Sequence, residues 1–233
     1  MDIQKRLKIL KPLVNFDKNE FIFCQLLSRR KDNPELDLSV KRLKSYSFYS
    51  WEELESQIDR IKEICDMNNA RAYIRLNKQN SVDVSLRCIS EMSDNLRTGN
   101  SSKNKGVWDS VSGKGGSKDW WVLDLDSEHL NIIPSLHPGV TLPYCIELDL
   151  KESYFNRVLN QMGSYGNEKE ADEISKEKYP IIYNFTKSGI HLICKPFDTR
   201  ILDKYNKELS SKGIQTIQIQ KDANSILYIG NNN

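Results

Sequence analysis

Apolar and polar positions along the chain fall into a helical rhythm in some segments and a two-residue alternation in others. Phe16 to Leu27 (FDKNEFIFCQLL) is apolar and aromatic and runs into the basic Arg29-Arg30-Lys31. Lys41 to Tyr49 is a second basic and aromatic stretch. Ser50, followed by Trp51-Glu52-Glu53, has the form of a helix N-cap with acids in the first turn. Leu54, Ile58, Ile61, Ile64 and Cys65 then recur at helical spacing up to Met67, and Asn68-Asn69 closes the helix. Ala70 to Leu76 alternates and reads as a strand, whereas Val82 to Ile89 fits a strand or a short helix. Asn100 to Lys118, rich in Gly, Ser and Lys, reads as a flexible loop leading into Asp119 to Asp126 (DWWVLDLD). Leu142 to Leu150 leads to a helix around Tyr154 to Met162, and the polar, acidic Gly163 to Lys178 reads as a mobile insertion. Strands are expected at Ile181 to Phe185, Ile190 to Lys195, Gly213 to Gln220 and Ser225 to Ile229, with a short helix over Ile201 to Leu209. This mixture predicts an α/β (α+β) protein without internal repeats, its strands concentrated in the second half.

At 233 residues the chain suits one sizeable domain or two small interlocked modules. The formal net charge is only +2, so a nucleic-acid surface has to come from local clustering of its basic side chains. No apolar run reaches membrane-spanning length, and the N-terminus lacks the cleavage region of a signal peptide. Cys24, Cys65, Cys88, Cys145 and Cys194 are dispersed without a CxxC pair, the usage expected of reduced thiols in a cytoplasmic protein. Zinc sites cluster their ligands, so that spacing also argues against one.

In Trp121 to Asp126, a strand's alternation puts Val122, Asp124 and Asp126 on one face and Trp121, Leu123 and Leu125 on the other. Two carboxylates at i and i+2 on one face repel each other unless a divalent cation lies between them. Magnesium or manganese bridging such a pair and a nucleotide's phosphates is a common device for phosphoryl transfer. The alternative is an acid that merely faces solvent at a strand end. Glu147 and Asp149 (IELDL) repeat the spacing, but a more apolar strand precedes the first pair.

Thr186-Lys187-Ser188-Gly189-Ile190-His191 places a glycine turn, a hydroxyl and a lysine ahead of a histidine between two apolar strands. Backbone N–H groups, a cation and an imidazole suit an anionic phosphate chain. The competing reading is a hairpin with a satisfied, half-buried histidine.

Together the two motifs, an apolar strand ending in DxD and a small-residue turn entering GxH, resemble the archaeo-eukaryotic primase superfamily. The closest likeness is to the primase-polymerases of phages and mobile elements. The resemblance covers Lys118 to Ile229. It implies Asp124 and Asp126 as ligands of Mg2+ or Mn2+, and Ser188 and His191 as triphosphate contacts. Lys187 joins them on charge and position. It also implies an N-terminal αβ module, residues 1–118, packed on a C-terminal RRM-like catalytic module, residues 119–233. The family's third acid is expected on a later strand, where this chain carries Gln218 and Gln220. Asp222 shares their parity and serves as the third metal ligand if the strand runs that far.

The implied activity is DNA-directed primer synthesis or strand extension, with single-stranded DNA template and nucleoside triphosphates as partners and any helicase a separate protein. The rivals are a non-catalytic nucleic-acid- or nucleotide-binding replication factor and a metal-dependent nuclease, which has no need of a triphosphate grip. Ser112 to Lys118 (SGKGGSK) lacks a Walker loop's spacing and enters a strand instead of a helix. Arg29, Arg30, Lys31, Lys41, Arg42, Lys44, Tyr46, Phe48 and Tyr49 suit either a template strand or an ordinary charged surface. Arg71 and Arg75 share a strand face that could line a cleft, Trp120 and Trp121 read as core, and His129 and His137 read as loop residues without ligand spacing.

Overall fold

The computed structural model describes residues 2–135, 139–163 and 167–230, so His137 lies outside the described residues. The chain is mixed α/β with two antiparallel sheets and divides into two units. One comprises residues 1–118 with 222–233, and the other residues 119–221. The last strand therefore belongs with the N-terminal unit and not with the C-terminal module expected from the sequence.

In the first unit, α1 (Ile3–Leu10) precedes the long strand β1 (Glu20–Arg29), whose Phe21-Ile22-Phe23-Cys24 stretch is buried on both faces. β1 pairs antiparallel with β2 (Val40–Phe48) on one side and β3 (Ala70–Arg75) on the other. β9 (Asn224–Ile229) lies beyond β3, giving the order β2-β1-β3-β9, while β4 (Gln79–Asn80) pairs with the start of β1.

The helix expected after Ser50 is present but broken at Gln57 into α2 (Trp51–Ser56) and α3 (Ile58–Met67). The Ser50 hydroxyl accepts the Glu53 backbone N–H at 3.1 Å, a cap worth about 1 kcal/mol. The ambiguous Val82 segment is part of a 17-residue helix, α4 (Ser81–Arg97). Asn80 decides between the alternatives, because its side chain accepts from Val82 N at 3.0 Å and Asp83 N at 3.3 Å and so starts a helix there. Val84 and Cys88 of α4 pack with Val107 and Val111 of α5 (Val107–Ser112) against Phe21 and Phe23 of β1.

Two features of this unit depart from expectation. The segment read as a flexible Gly/Ser/Lys loop contains α5, and its remainder is tied down. Gln79, fully buried, donates through Nε2 to the carbonyls of Ser112, Lys114 and Gly115, and Arg87 donates to Lys114 O at 3.0 Å. Gly116, at φ +96°, sits so close to Lys78 O that a Cβ there would lie 2.8 Å from it. Arg71 and Arg75 do not line a cleft. Both are buried, Arg71 in a two-pronged pair with Asp32 and Arg75 bonded to Asp222 and to Ser112 O.

The second unit begins with β5 (Trp121–Asp126), followed by α6 (Ser127–Leu130), α7 (Leu142–Met162) and α8 (Glu168–Lys178). Next come the hairpin β6 (Ile182–Phe185) and β7 (Gly189–Cys194), α9 (Arg200–Ser211) and β8 (Gln218–Gln220). The sheet order is β6-β7-β5-β8, every neighbour antiparallel. Leu123 and Leu125 of β5, Ile190, Leu192 and Cys194 of β7, and apolar side chains of α7 and α9 form one core.

The segment 142–150 is the first half of α7 and not a lead-in to a later helix. Glu147 and Asp149 thus stand about 200° apart around a helix. Each accepts a tyrosine hydroxyl, Tyr183 on Glu147 and Tyr205 on Asp149, so they are not a metal-binding pair on one strand face. Much of the supposed mobile insertion is α8, capped by Asn167, with Ala171 and Ser175 buried.

Gln79→Ala should remove a donor from the carbonyls of Ser112, Lys114 and Gly115, of which the first keeps Arg75 and the second keeps Arg87. We expect a loss of about 1–3 kcal/mol in denaturant unfolding, with amide exchange accelerated at residues 112–117 above all. Unchanged stability and exchange would mean that the loop is held by something else.

Candidate nucleotide and metal site

The pairing of β5 with β7 sets Asp124 opposite His191 and Asp126 opposite Gly189. Cross-strand partners in an antiparallel sheet project from the same face. Extending the register through the neighbouring strands gives a row Asn184–His191–Asp124–Gln218 across all four strands. This row lies on the face opposite the Leu123/Leu125 core, because β5 alternates as expected. The two motifs that the sequence singled out are therefore brought together on one sheet face.

Asp124 is the centre of the site. His191 Nε2 stands 3.6 Å from its Oδ1, within ion-pairing reach but longer than a good hydrogen bond. Gln220 donates from Nε2 to Asp124 Oδ2 at 3.4 Å. The imidazole is almost wholly buried, at 4% exposure, while the Asp124 side chain retains 37%. A carboxylate in that position is reachable from solvent, and the buried imidazole supports it from the side.

Asp126 ends β5 and N-caps α6. Asp126 and His129 form a capping box in which the carboxylate faces the His129 backbone N–H and His129 Nδ1 accepts the Asp126 N–H at 3.0 Å. Nδ1 is thus an acceptor, so Nε2 carries the proton and donates to Gln215 O at 2.7 Å. His129, read from the sequence as a loop residue, is buried and fixes the backbone of a candidate metal ligand. The D-x-x-H spacing after the strand is the signal that could have found it. Asn184 gives no such signal, since its place beside the motifs exists only once the strands pair.

Gly189 explains its own presence. A Cβ there would meet Leu125 O at 2.1 Å and the Asp126 Cα at 2.9 Å, so any side chain would push β7 off the end of β5. Lys187 and Ser188 are exposed in the turn just before it, at the Asp126 end of the strand. The turn itself is closed by Thr186 N donating to Gly189 O at 2.9 Å.

The strand expected to carry Asp222 stops at Gln220, and residues 221 and 222 form a turn. Asp222 belongs to the first unit, where its carboxylate accepts from Arg75 Nη2 at 2.5 Å and its side chain is 59% exposed. The side chain that β8 brings to Asp124 is Gln220. Among the described residues, no group of three or more His, Cys, Asp or Glu side chains is placed to hold a metal ion. Asp124 and Asp126 supply carboxylate oxygens, while Gln220 turns its Nε2 amide toward Asp124 and His191 Nε2 stands on that carboxylate's other oxygen. Two carboxylates fit a hard cation that takes its remaining ligands from water and phosphate.

Other candidates resolve as follows. Lys41, Arg42, Lys44, Tyr46 and Phe48 lie on the edge strand β2, with Lys44 Nζ 4.8 Å from the Tyr46 ring centroid and Tyr46 stacked on Phe48 at 5.3 Å. Arg42 stands 3.8 Å from Asp109. The Gly-rich segment 113–118 leads into β5 and does not open a helix. Trp120 is buried under the Lys195 ammonium, 3.8 Å from its ring centroid. All five cysteines are free and buried; burial holds the Cys65 and Cys194 thiols up at about 12, so neither is a nucleophile at neutral pH.

Comparison with protein-family models, with curated proteins and with solved structures finds no match.

Gly189→Ala should cost about 1–3 kcal/mol, or more, as an overpacked core does, with amide shift changes centred on Leu125 and Asp126. A variant as stable as the parent would mean that β7 yields freely there. His129→Leu should lose about 1–3 kcal/mol by leaving the Asp126 N–H and Gln215 carbonyl without partners. Thermal unfolding indistinguishable from wild type would contradict that role.

Proposed function

We propose that the chain is a nucleotidyltransferase of the primase-polymerase type, acting on single-stranded DNA template and nucleoside triphosphates. The observation that carries this reading is the register of β5 on β7, which sets Asp124 opposite His191 and Asp126 opposite Gly189 of the GxH motif. The connectivity supports it as well. Read from Asp119, the second unit runs β–α–β–β–α–β, with its first and third strands central in the order β6-β7-β5-β8. We read this connectivity as a split βαβ arrangement, whose RRM-like members read nucleic acid from the two central strands. Here those strands carry Asp124, Asp126 and His191.

In this reading Asp124 and Asp126 hold Mg2+ or Mn2+, and the Gln220 amide hydrogen-bonds Asp124 beside them. When bound, such an ion neutralises triphosphate charge and lowers the barrier to in-line displacement. The residues of the chain do the rest. Ser188 and Lys187, exposed at the turn, present a hydroxyl and a cation to the phosphate chain, and His191 contributes a donor from the sheet. His129 holds the Asp126 backbone so that the second carboxylate stays near the first. Taken by itself, the basic and aromatic edge strand β2 of the first unit suits single-stranded DNA by phosphate pairing and stacking.

One observation favours a second reading, a nucleotide-binding replication module without catalysis. A glutamine stands where the family's third acid is expected, and Asp222 is engaged with Arg75. An amide does not offset cation charge as a carboxylate does.

The two readings part in one experiment: the protein is incubated with single-stranded DNA, labelled nucleotides and manganese, and dinucleotides are sought. Incorporation that Asp124→Asn with Asp126→Asn abolishes, on an intact fold, is the expected result. Nucleotide binding without any product selects the binding module, and DNA degradation without nucleotide selects a nuclease. Product formed at the wild-type rate by the double variant would remove the acids from the chemistry. His191→Ala should weaken triphosphate binding by about 1.5–3 kcal/mol in calorimetry while sparing single-stranded DNA affinity. Equal triphosphate affinity would refute its role.

A further inference from the structure

Gln220 governs how Asp124 and Asp126 can take a cation. Its Nε2 lies 3.4 Å from Asp124 Oδ2, so the end of this side chain already reaches the carboxylate. A carboxylate of the same shape would set an oxygen where that nitrogen stands. Two oxygens at right angles about one ion, each about 2.1 Å from it, are about 3.0 Å apart. Position 220 is therefore the place from which a further acid would share an ion with Asp124, and the chain has an amide there. Gln218, opposite Asp124 in the register, does not stand in, because its amide is turned to Thr216 O and Oγ1.

The amide changes the charge that meets a cation. Asp124 and Asp126 bring two negative charges, which offset one divalent ion and no more. Nitrogen atoms stand beside both Asp124 oxygens, Gln220 Nε2 at Oδ2 and His191 Nε2 3.6 Å from Oδ1. The Asp126 carboxylate faces the His129 backbone N–H as the cap of α6. Magnesium gives up its water reluctantly, and the number of charged ligands tunes cation sites over several decades of affinity. Two acids whose oxygens are partly engaged hold a free ion weakly. A triphosphate brings the oxygens and the negative charge that an acid at position 220 would have supplied. Lys187 and Ser188 are exposed in the turn at the Asp126 end of β5, where such a chain of phosphates would arrive.

We propose that Gln220 makes cation binding conditional on the triphosphate, so that the site takes up a divalent ion together with the phosphate chain and holds the free ion poorly. The proposal rests on the reading of Asp124 and Asp126 as ion ligands and goes beyond it by assigning this dependence to one residue. Linkage makes the dependence mutual: the ion strengthens triphosphate binding by the factor by which the triphosphate strengthens the ion's.

Water proton relaxation of the full chain tests this, because manganese held on a protein relaxes water faster than manganese in solution or on free nucleotide. Manganese chloride alone should bind with a dissociation constant above about 300 µM, and a β,γ-imido nucleoside triphosphate should bring the enhancement on at manganese concentrations about tenfold lower or more. Gln220→Glu should tighten the binding of free manganese about tenfold or more and reduce the effect of the nucleotide accordingly. Gln220→Met, which removes the amide and adds no charge, should stay within about threefold of the parent. Gln220→Asp carries the same test should Gln220→Glu fail to fold. A parent that binds free manganese as tightly as it does beside the nucleotide overturns the proposal. So does a carboxylate variant without any gain, or a Gln220→Met variant that gains as much. No enhancement with or without nucleotide removes the cation reading itself, and the role of Gln220 with it.

Discussion

The candidate site depends on one constraint, the register between β5 and β7. Strand side chains alternate with a period of two, so a slip of one residue would turn Asp124 and Asp126 into the leucine core and bring Leu123 and Leu125 out. That slip is opposed twice. Five core side chains of the two strands, Leu123, Leu125, Ile190, Leu192 and Cys194, must stay on the buried face. Gly189 meets the backbone of Leu125 and Asp126 at a distance that no other residue tolerates. The same packing that stabilises the sheet thus aligns the acids with His191, and no separate device is needed to place them.

The end of β5 adds a second level of control. A carboxylate at a strand terminus would ordinarily be free to swing, but Asp126 is held through its backbone by His129 and begins α6. Both nitrogens of that imidazole are committed, one to Asp126 N–H and one to Gln215 O, and the histidine is buried. Asp124 is bounded by His191 on one side and Gln220 on the other. The result is a pair of acids with fixed backbones, one flank lined by a buried imidazole and the other by an amide.

Much of this was legible in the sequence where local chemistry decides the outcome. The DWWVLDLD alternation, the Ser50 cap, and the turn before Gly189 each follow from short-range rules, and the strands and helix near them fall where those rules put them. The sequence reading failed where distant residues decide. Nothing between Asn100 and Lys118 announces that Gln79 will bind its carbonyls. Alternation from Gly213 onward suggested one continuous strand, yet β8 has three residues, and the turn after it hands Asp222 to Arg75. Leu142 to Leu150 reads as a lead-in to a later helix, and the tyrosine partners of Glu147 and Asp149 show how its DxD-like spacing is used within a helix.

The central claim is that Asp124 and Asp126, with His191 beside them, form the place where a divalent ion and a triphosphate meet. The most direct measurement is paramagnetic broadening of backbone amide resonances during a manganese titration, with and without a non-hydrolysable nucleoside triphosphate. Broadening should begin at Asp124 to Ser127 and at Lys187 to His191, and the nucleotide should sharpen the ion's preference for these segments. Broadening centred on the acids of α7 or α8 while these two segments remain sharp would contradict the account.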